Sequence, residues 1–426
     1  MELKWISEAI LSNSGNTFFE EFDIEVYTML AQQFSHLLPS EKSKYKGVDD
    51  YIVKQGGPNL TPNQKNYQKI MDEIKSNLEH DNYYSILPVN IYSEKETIMD
   101  LLASLENEKY IKEVYKSKKT QVSGELNTGT ATRLVDSIRQ GRSLLQSTQT
   151  ANMLSKPLID FYAASAYAYA TIVINSPLHK SLDSLKGSHG HTYNHKDETI
   201  EFGGNIPSGT FIDLLASIYL PQIVTENTRF KCNALSSLKF VQTHEIRISL
   251  IALLSTVPEL RDQVIQINTA QNLVHKLIVR TGVEKGLVTY IFEIGDGLKR
   301  PKTELLKSVF DTTEIREEHG KYVVNVPAEK ITKIIPTIYQ DINGNLWYIE
   351  SLINGLYLPE ICLHFLIISA LCNIMRYSPH EWNNILSNKV SSDFSLLISK
   401  YLRLFELKYP MLLVQQLTSF MPIICP

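Results

Sequence analysis

The chain has 426 residues, 43% of them apolar and 21% charged, with a net charge of −4. That balance excludes a disordered chain and a global positive field for holding nucleic acid, and the length exceeds what one hydrophobic core usually organises. Four cysteines (Cys232, Cys362, Cys372 and Cys425) lack CxxC spacing, so reduced thiols in a cytoplasmic protein are expected rather than a zinc site or disulfide framework.

The opening residues, MELKWISEAILSNSGN, have no basic start and no long apolar run, so no secretory signal is expected. Residues 1–130 are polar and broken by turn signals such as Ser12–Asn16 and Gly56–Pro58. Amphipathic spacing predicts helices over Glu21–Leu38, Gln64–Leu78 and Glu96–Leu105. Leu134, Ile138, Leu144, Leu145, Met153 and Leu154 continue at helical spacing. Pro157 then opens a helix in KPLIDFYAASAYAYATIVI. Alanines there alternate with Phe161, Tyr162, Tyr167 and Tyr169, a pattern that lets a ring pack against a small residue on a neighbouring helix. A tyrosine stripe at this spacing reads as core before it reads as a nucleobase platform.

Glycines and Pro207 make residues 176–208 loop-like, and helix is expected again over Phe211–Leu220 and Ser236–Leu254. Leu287–Ile294, Tyr322–Val326, Pro336–Gln340 and Leu346–Ile349 alternate as strands, with Thr303–Phe310 a helix between them. DINGN at Asp341–Asn345 is a strong hairpin signal. The run Ile361–Cys372 is nearly all apolar. As a helix it rises only about 18 Å, against the roughly 20 apolar residues a bilayer core needs, so it is expected to be a buried central helix. Arg376 at its end is then expected to need a buried carboxylate, with Asp160 and Glu245 as candidates, or helix-end carbonyls, with Trp382 stacked over it. The expected class is mainly α: a multi-helix core with a small inserted α+β module. It divides into 1–130 (N-terminal, mostly helical), 131–283 (first part of the core), 284–350 (the module) and 351–426 (C-terminal core).

Few motifs carry chemistry. His189, His191 and His195 in SHGHTYNH, with Asp197, Glu198 and Glu201 behind them, are residue types that bind zinc, iron or manganese. Their spacing matches no known ligand pattern, and a structured polar loop is the plainer reading. His244, Glu245 and Arg247 in THEIR read as a polar cluster at a helix end, and Lys116–Lys119 as a solvated charge run. No GxSxG, Walker A or GxGxxG motif is present.

Several ordered blocks point further. SIRQGRSLLQ is followed by Lys156-Pro157-Leu158 with Phe161-Tyr162, then His189-Gly190, then an apolar helix running into Arg376-Tyr377, Pro379 and Trp382, and finally ISKYLRLFELKYPMLLVQQL. Over roughly Thr130–Leu417 this pattern resembles the YaaC-like family of bacterial proteins. The resemblance implies a bacterial, intracellular, mostly helical protein and no particular reaction. From these blocks Lys156, Tyr162, His189, His191, Arg376, Tyr377 and Trp382 become the binding candidates. Catalytic residues are unassigned and no cofactor is expected.

The expected function is a non-enzymatic interaction or regulatory protein with a protein partner, with a multi-protein phage-defence system as the setting suggested by analogy. The alternatives are a nuclease or metal-dependent hydrolase using the His189/His191/His195 loop, and a nucleic-acid-binding module that the net charge does not favour. No membrane association is expected. Leucines in Phe394–Phe405 and Met411–Phe420 raise the prospect of a homodimer.

Overall fold

The computed structural model describes residues 83–118, 126–175, 185, 187–204, 206, 208–223, 228–233, 235–267, 272–284, 287–295, 300–310, 312, 314–327, 338–418 and 420–425. The chain forms two compact units. One comprises Met1–Asn82, Tyr115–Leu126 and Pro177–His179, and lies almost wholly outside the described residues, as do the helices expected over Glu21–Leu38 and Gln64–Leu78. The other comprises Tyr83–Val114, Asn127–Ser176 and Lys180–Pro426. The larger unit thus begins at Tyr83, upstream of residue 130.

In chain order the elements are β1 (Tyr83–Asn90), α1 (Glu94–Ser104), α2 (Glu108–Lys118), α3 (Thr128–Thr148), α4 (Lys156–Asn175), β2 (His191–Asn194), β3 (Thr199–Gly203), α5 (Thr210–Ala216), β4 (Tyr219–Ile223) and β5 (Thr228–Asn233). There follow α6 (Leu235–Thr243), β6 (Glu245–Ser249), α7 (Leu250–Leu254), a 3-10 turn at Pro258–Leu260, α8 (Arg261–Gln266), β7 (Val274–Glu284), β8 (Leu287–Ile294) and α9 (Thr303–Phe310). The chain closes with β9 (Arg316–Glu318), β10 (Lys321–Pro327), β11 (Ile338–Gln340), β12 (Leu346–Ile349), α10 (Glu360–Tyr377), α11 (Pro379–Leu386), α12 (Ser392–Leu417) and β13 (Phe420–Cys425). The described chain is helix-rich with three sheets.

The helical core is built around α4 and α10. Both are apolar on nearly every face, because each is surrounded by other elements. At 20 and 18 residues they have the length and composition of membrane spans, α10 being longer than its apolar run suggested. Their apolar windows are 78% and 72% buried inside the fold, however. The small-residue pattern of α4 works as expected: Tyr167 is fully buried, and its ring lies against Gly141 of α3. Tyr162 is the exception, turned out to solvent.

One sheet joins distant parts of the chain in the order β13-β1-β5-β4, with β1 parallel to β13 from Ser85 opposite Phe420 to Asn90 opposite Cys425. A second runs β11-β12-β7-β8-β10-β9 and is covered by Leu306, Val309 and Phe310 of α9 packed on Phe292, Ile294, Val324 and Tyr348. It begins at Val274, inside the stretch assigned to the helical core from sequence. Its DINGN hairpin forms around Asp341, whose carboxylate accepts 2.9 Å hydrogen bonds from the Asn343 and Asn345 amides, the Asn345 side chain and Trp347 Nε1. The third sheet, β2-β3-β6, corrects two expectations. Part of the supposed loop at 176–208 is a hairpin. The supposed helix Ser236–Leu254 is broken by β6, where Ile246 and Ile248 are buried and Glu245 and Arg247 exposed. The supposed helix Phe211–Leu220 likewise ends at Ala216 and gives way to β4. Short apolar runs do not by themselves distinguish strand from helix.

The closing segments are not a bare leucine surface. They form one 26-residue helix, α12, that buries Leu397, Ile398, Leu402, Phe405, Leu413, Val414 and Leu417. Leu396 is exposed, and Phe420 belongs to β13.

Gly141→Ala tests the central helix pair. The new Cβ would stand 2.6 Å from a Tyr167 ring carbon, and the fully buried ring has no room to retreat. Overpacking of about 1–3 kcal/mol should outweigh the gain of roughly 1 kcal/mol in helix propensity. Chemical denaturation should show a net loss of stability; an unchanged or raised midpoint would mean that α3 and α4 are less tightly engaged.

Candidate functional site

Where α10 leaves the core, its last turn passes from buried Ile374 to exposed Arg376 and Tyr377. Arg376 is therefore not the buried charge expected from sequence. Neither Asp160 nor Glu245 pairs with it: Asp160 faces Lys156, and Glu245 faces Arg247. The guanidinium lies 4.9 Å from the ring centre of Tyr377 and reaches the Cys372 thiol one turn back. A cation is favoured here by the carbonyl end of the helix dipole. Ser378 ends the helix and Pro379 takes the first position of α11, where its missing N–H costs nothing. Trp382 does not cover Arg376. It is buried, on α11.

The β2–β3 hairpin comes alongside. Gly190, at φ +75°, turns the chain between His189 and His191, so the two imidazoles diverge in environment. His191 is buried against Phe211 and Phe365. Its Nε2 lies 2.6 Å from Ser369 Oγ of α10 and its Nδ1 3.0 Å from the His189 carbonyl. Both ring nitrogens are thus engaged, and burial lowers its pKa to about 4. His189 remains at the surface, edge-on to Phe161 at 5.3 Å; partial burial and then the Arg376 charge lower its pKa. His195 is exposed, with Nδ1 3.1 Å from Ser378 Oγ and its ring between Tyr193 (4.9 Å) and Tyr377 (6.2 Å).

The result is a row of Tyr162, His189, Arg376, Tyr377, His195 and Tyr193 at the surface, drawn from α4, the hairpin and α10, with the buried ring of Phe161 linking Tyr162 to His189. Of the sequence candidates, Tyr162, His189, Arg376 and Tyr377 come together in it, with His191 directly beneath. The three histidines do not form a ligand set: His191 offers no free nitrogen, and among the described residues no group of three His, Cys, Asp or Glu side chains is disposed to hold a metal.

Lys156 lies elsewhere, buried at the start of α4. Its ammonium donates to the Thr148 carbonyl (3.0 Å), lies 2.6 Å from Glu406 and is 3.7 Å from Asp160, so it joins α3, α4 and α12. Burial raises the Asp160 pKa to about 7 despite that lysine. A second buried cation escaped the sequence reading altogether. Lys408, in the middle of α12, lies 3.0 Å from both Glu259 and Glu360 and donates to the Gln340 carbonyl. Burial disfavours its charge, but the two glutamates more than offset that and raise its pKa. Burial likewise raises the Glu360 pKa, to about 7, against the pull of Lys408. The available signal was a lone lysine inside the apolar run LFELKYPMLLV, a position that requires a partner.

The family model described as YaaC-like Protein matches residues 100–417, most of the chain, and the chain belongs to that family. The match starts upstream of Thr130, where the resemblance in the sequence began. No curated protein and no solved structure matches.

The His191 geometry yields a pH prediction. With a folded pKa near 4 and an ordinary unfolded value near 6.5, the unfolded state binds the extra proton between those limits, so this residue's contribution is present above pH 6.5 and lost on acidification toward 4. Asp160 and Glu360, with raised values, act in the opposite sense below pH 7, so the whole protein's profile mixes the two. An NMR titration should find the His191 ring neutral at pH 5.5, and His191→Asn should flatten the acid-side loss of unfolding free energy. A His191 midpoint near 6.5 would show that the ring is not enclosed.

Proposed function

We propose that this protein is a non-enzymatic interaction or regulatory component acting in the cytoplasm, and that it engages an acidic surface of a protein partner through the row around Arg376. The observation that carries the reading is the state of Arg376: it is exposed, and among the described residues it has no carboxylate partner. It is flanked by Tyr377, 62% exposed, and lies in a row that ends at Tyr162, 49% exposed. Arginine and tyrosine are the residue types that concentrate binding energy at interfaces, because both combine large contact area with directional hydrogen bonding. By contrast, the buried ionisable groups Lys156, Asp160, Glu406, Lys408, Glu259, Glu360, His275 and Glu350 are engaged with one another. They hold elements together rather than stand ready for a substrate. The hydrolase alternative loses its central residue, since His191 is fixed at both nitrogens.

The test is co-purification from the native cell with a tagged full-length chain. The parent should retain a specific partner, and Arg376→Glu, which reverses the charge at an exposed helix end, should lose it without lowering the melting temperature. Tyr377→Ser should weaken capture by about tenfold, the range of a single interfacial anchor. Undiminished capture by the Arg376→Glu protein, at parental stability, would reject this surface as the interface.

A further inference from the structure

A cavity of about 40 Å³ opens beside Lys408, between α12, the start of α10, β11 and β13. That is room for about three waters or one small polar molecule, at ~10–15 Å³ for each water. Its polar wall holds Gln340, Asp341, Glu360 and Lys408, with Glu259 on the far side of the ammonium. Its apolar wall includes Ile361, Met411, Leu412 and Met421.

The hydrogen-bond accounting of this wall is unbalanced in one direction. Lys408 donates to Glu259 and to the Gln340 backbone carbonyl and lies in ion-pair contact with Glu360. Both Asp341 oxygens are taken by the hairpin. What is left over is acceptors. Gln340 is more than nine-tenths buried and lines the cavity, yet its side-chain Oε1 has no donor. Glu360, also in the lining, has its Oε1 in ion-pair contact with Lys408 but without hydrogen-bond alignment; Glu259 Oε2 is buried without a donor too, outside the lining. Orphaned buried acceptors are costly, and a donor-bearing occupant would recover that cost. Three carboxylates against one ammonium also leave the wall negative.

We infer that this cavity is a binding site for the head of a short primary alkylammonium compound. Such a head carries N–H donors and one positive charge, suiting the two unpaired acceptors that line the cavity, Gln340 Oε1 and Glu360 Oε1, while its first methylenes meet the methionine and leucine side chains. A divalent metal fits less well, because the Lys408 ammonium already stands between the two glutamates and would repel it more strongly. The site is separate from the Arg376 row and does not depend on that reading.

Propylammonium chloride, titrated into the full-length protein at constant ionic strength, tests this by calorimetry and thermal melting. Saturable binding with a rise in melting temperature is expected. Tetramethylammonium, which has the charge but no N–H, and sodium should give neither. Gln340→Met, which keeps volume but removes the amide acceptor, should weaken propylammonium by about tenfold, as expected for losing one hydrogen bond to a charged group. No saturable response in the parent, or an equal response to tetramethylammonium, overturns the proposal. So does unchanged affinity in the Gln340→Met protein; should that variant not fold, the comparison of the two cations on the parent decides alone.

Discussion

The fold turns on a buried ammonium. Lys408 sits in the middle of the longest helix among the described residues, where α12 meets the start of α10, the β11 strand and the 3-10 turn at Pro258–Leu260, and each of these supplies it with an oxygen. A lysine moved from water to such a place unaccompanied would cost several kcal/mol or lose its proton, so the three segments have to converge on it. Glu259 also accepts from the Ile342 amide, which extends the same network to the DINGN turn. In this way one charge sets where the six-stranded sheet abuts the helical core. Lys156 repeats the device at the start of α4, with Glu406 contributed by α12 only two residues before Lys408.

Those two networks divide the ionisable residues by role. Charges that are enclosed are matched by other enclosed charges, and their perturbed protonation follows from burial. Charges near the end of α10 are different, since the helix emerges from the core there and its last turn faces solvent. Arg376 is held by a ring and a thiol instead of a carboxylate, and the β2–β3 hairpin brings two histidines to the same surface. Recognition is the chemistry such an arrangement supports, because its groups are accessible, partly desolvated and not already neutralised.

Much of the framework was legible in the residues. Alternation around DINGN fixed a hairpin, the alanine–aromatic spacing of α4 fixed a helix that packs closely, and the apolar run ending in MRYSPHEW fixed a buried rod. The errors have a common cause. His191–Asn194 and Glu245–Ser249 are strands of four and five residues, too short for periodicity to separate from loop or helix, and they become strands only because β3 lies between them. β1 likewise finds its parallel partner in the last strand of the described chain, a pairing that no local pattern reveals.

By itself, then, the sequence determined which segments are apolar enough to be enclosed, where hairpin chemistry must turn the chain, and to which family it belongs. It could not determine which charge the core would have to accept. Arg376 and Lys408 both border long apolar runs, and only the packing of helix against helix decided that the first escapes to solvent while the second is surrounded. Burial depends on what lies across from a residue in space, and partners such as Glu259, Gln340 and Glu360 are brought to Lys408 from far along the chain.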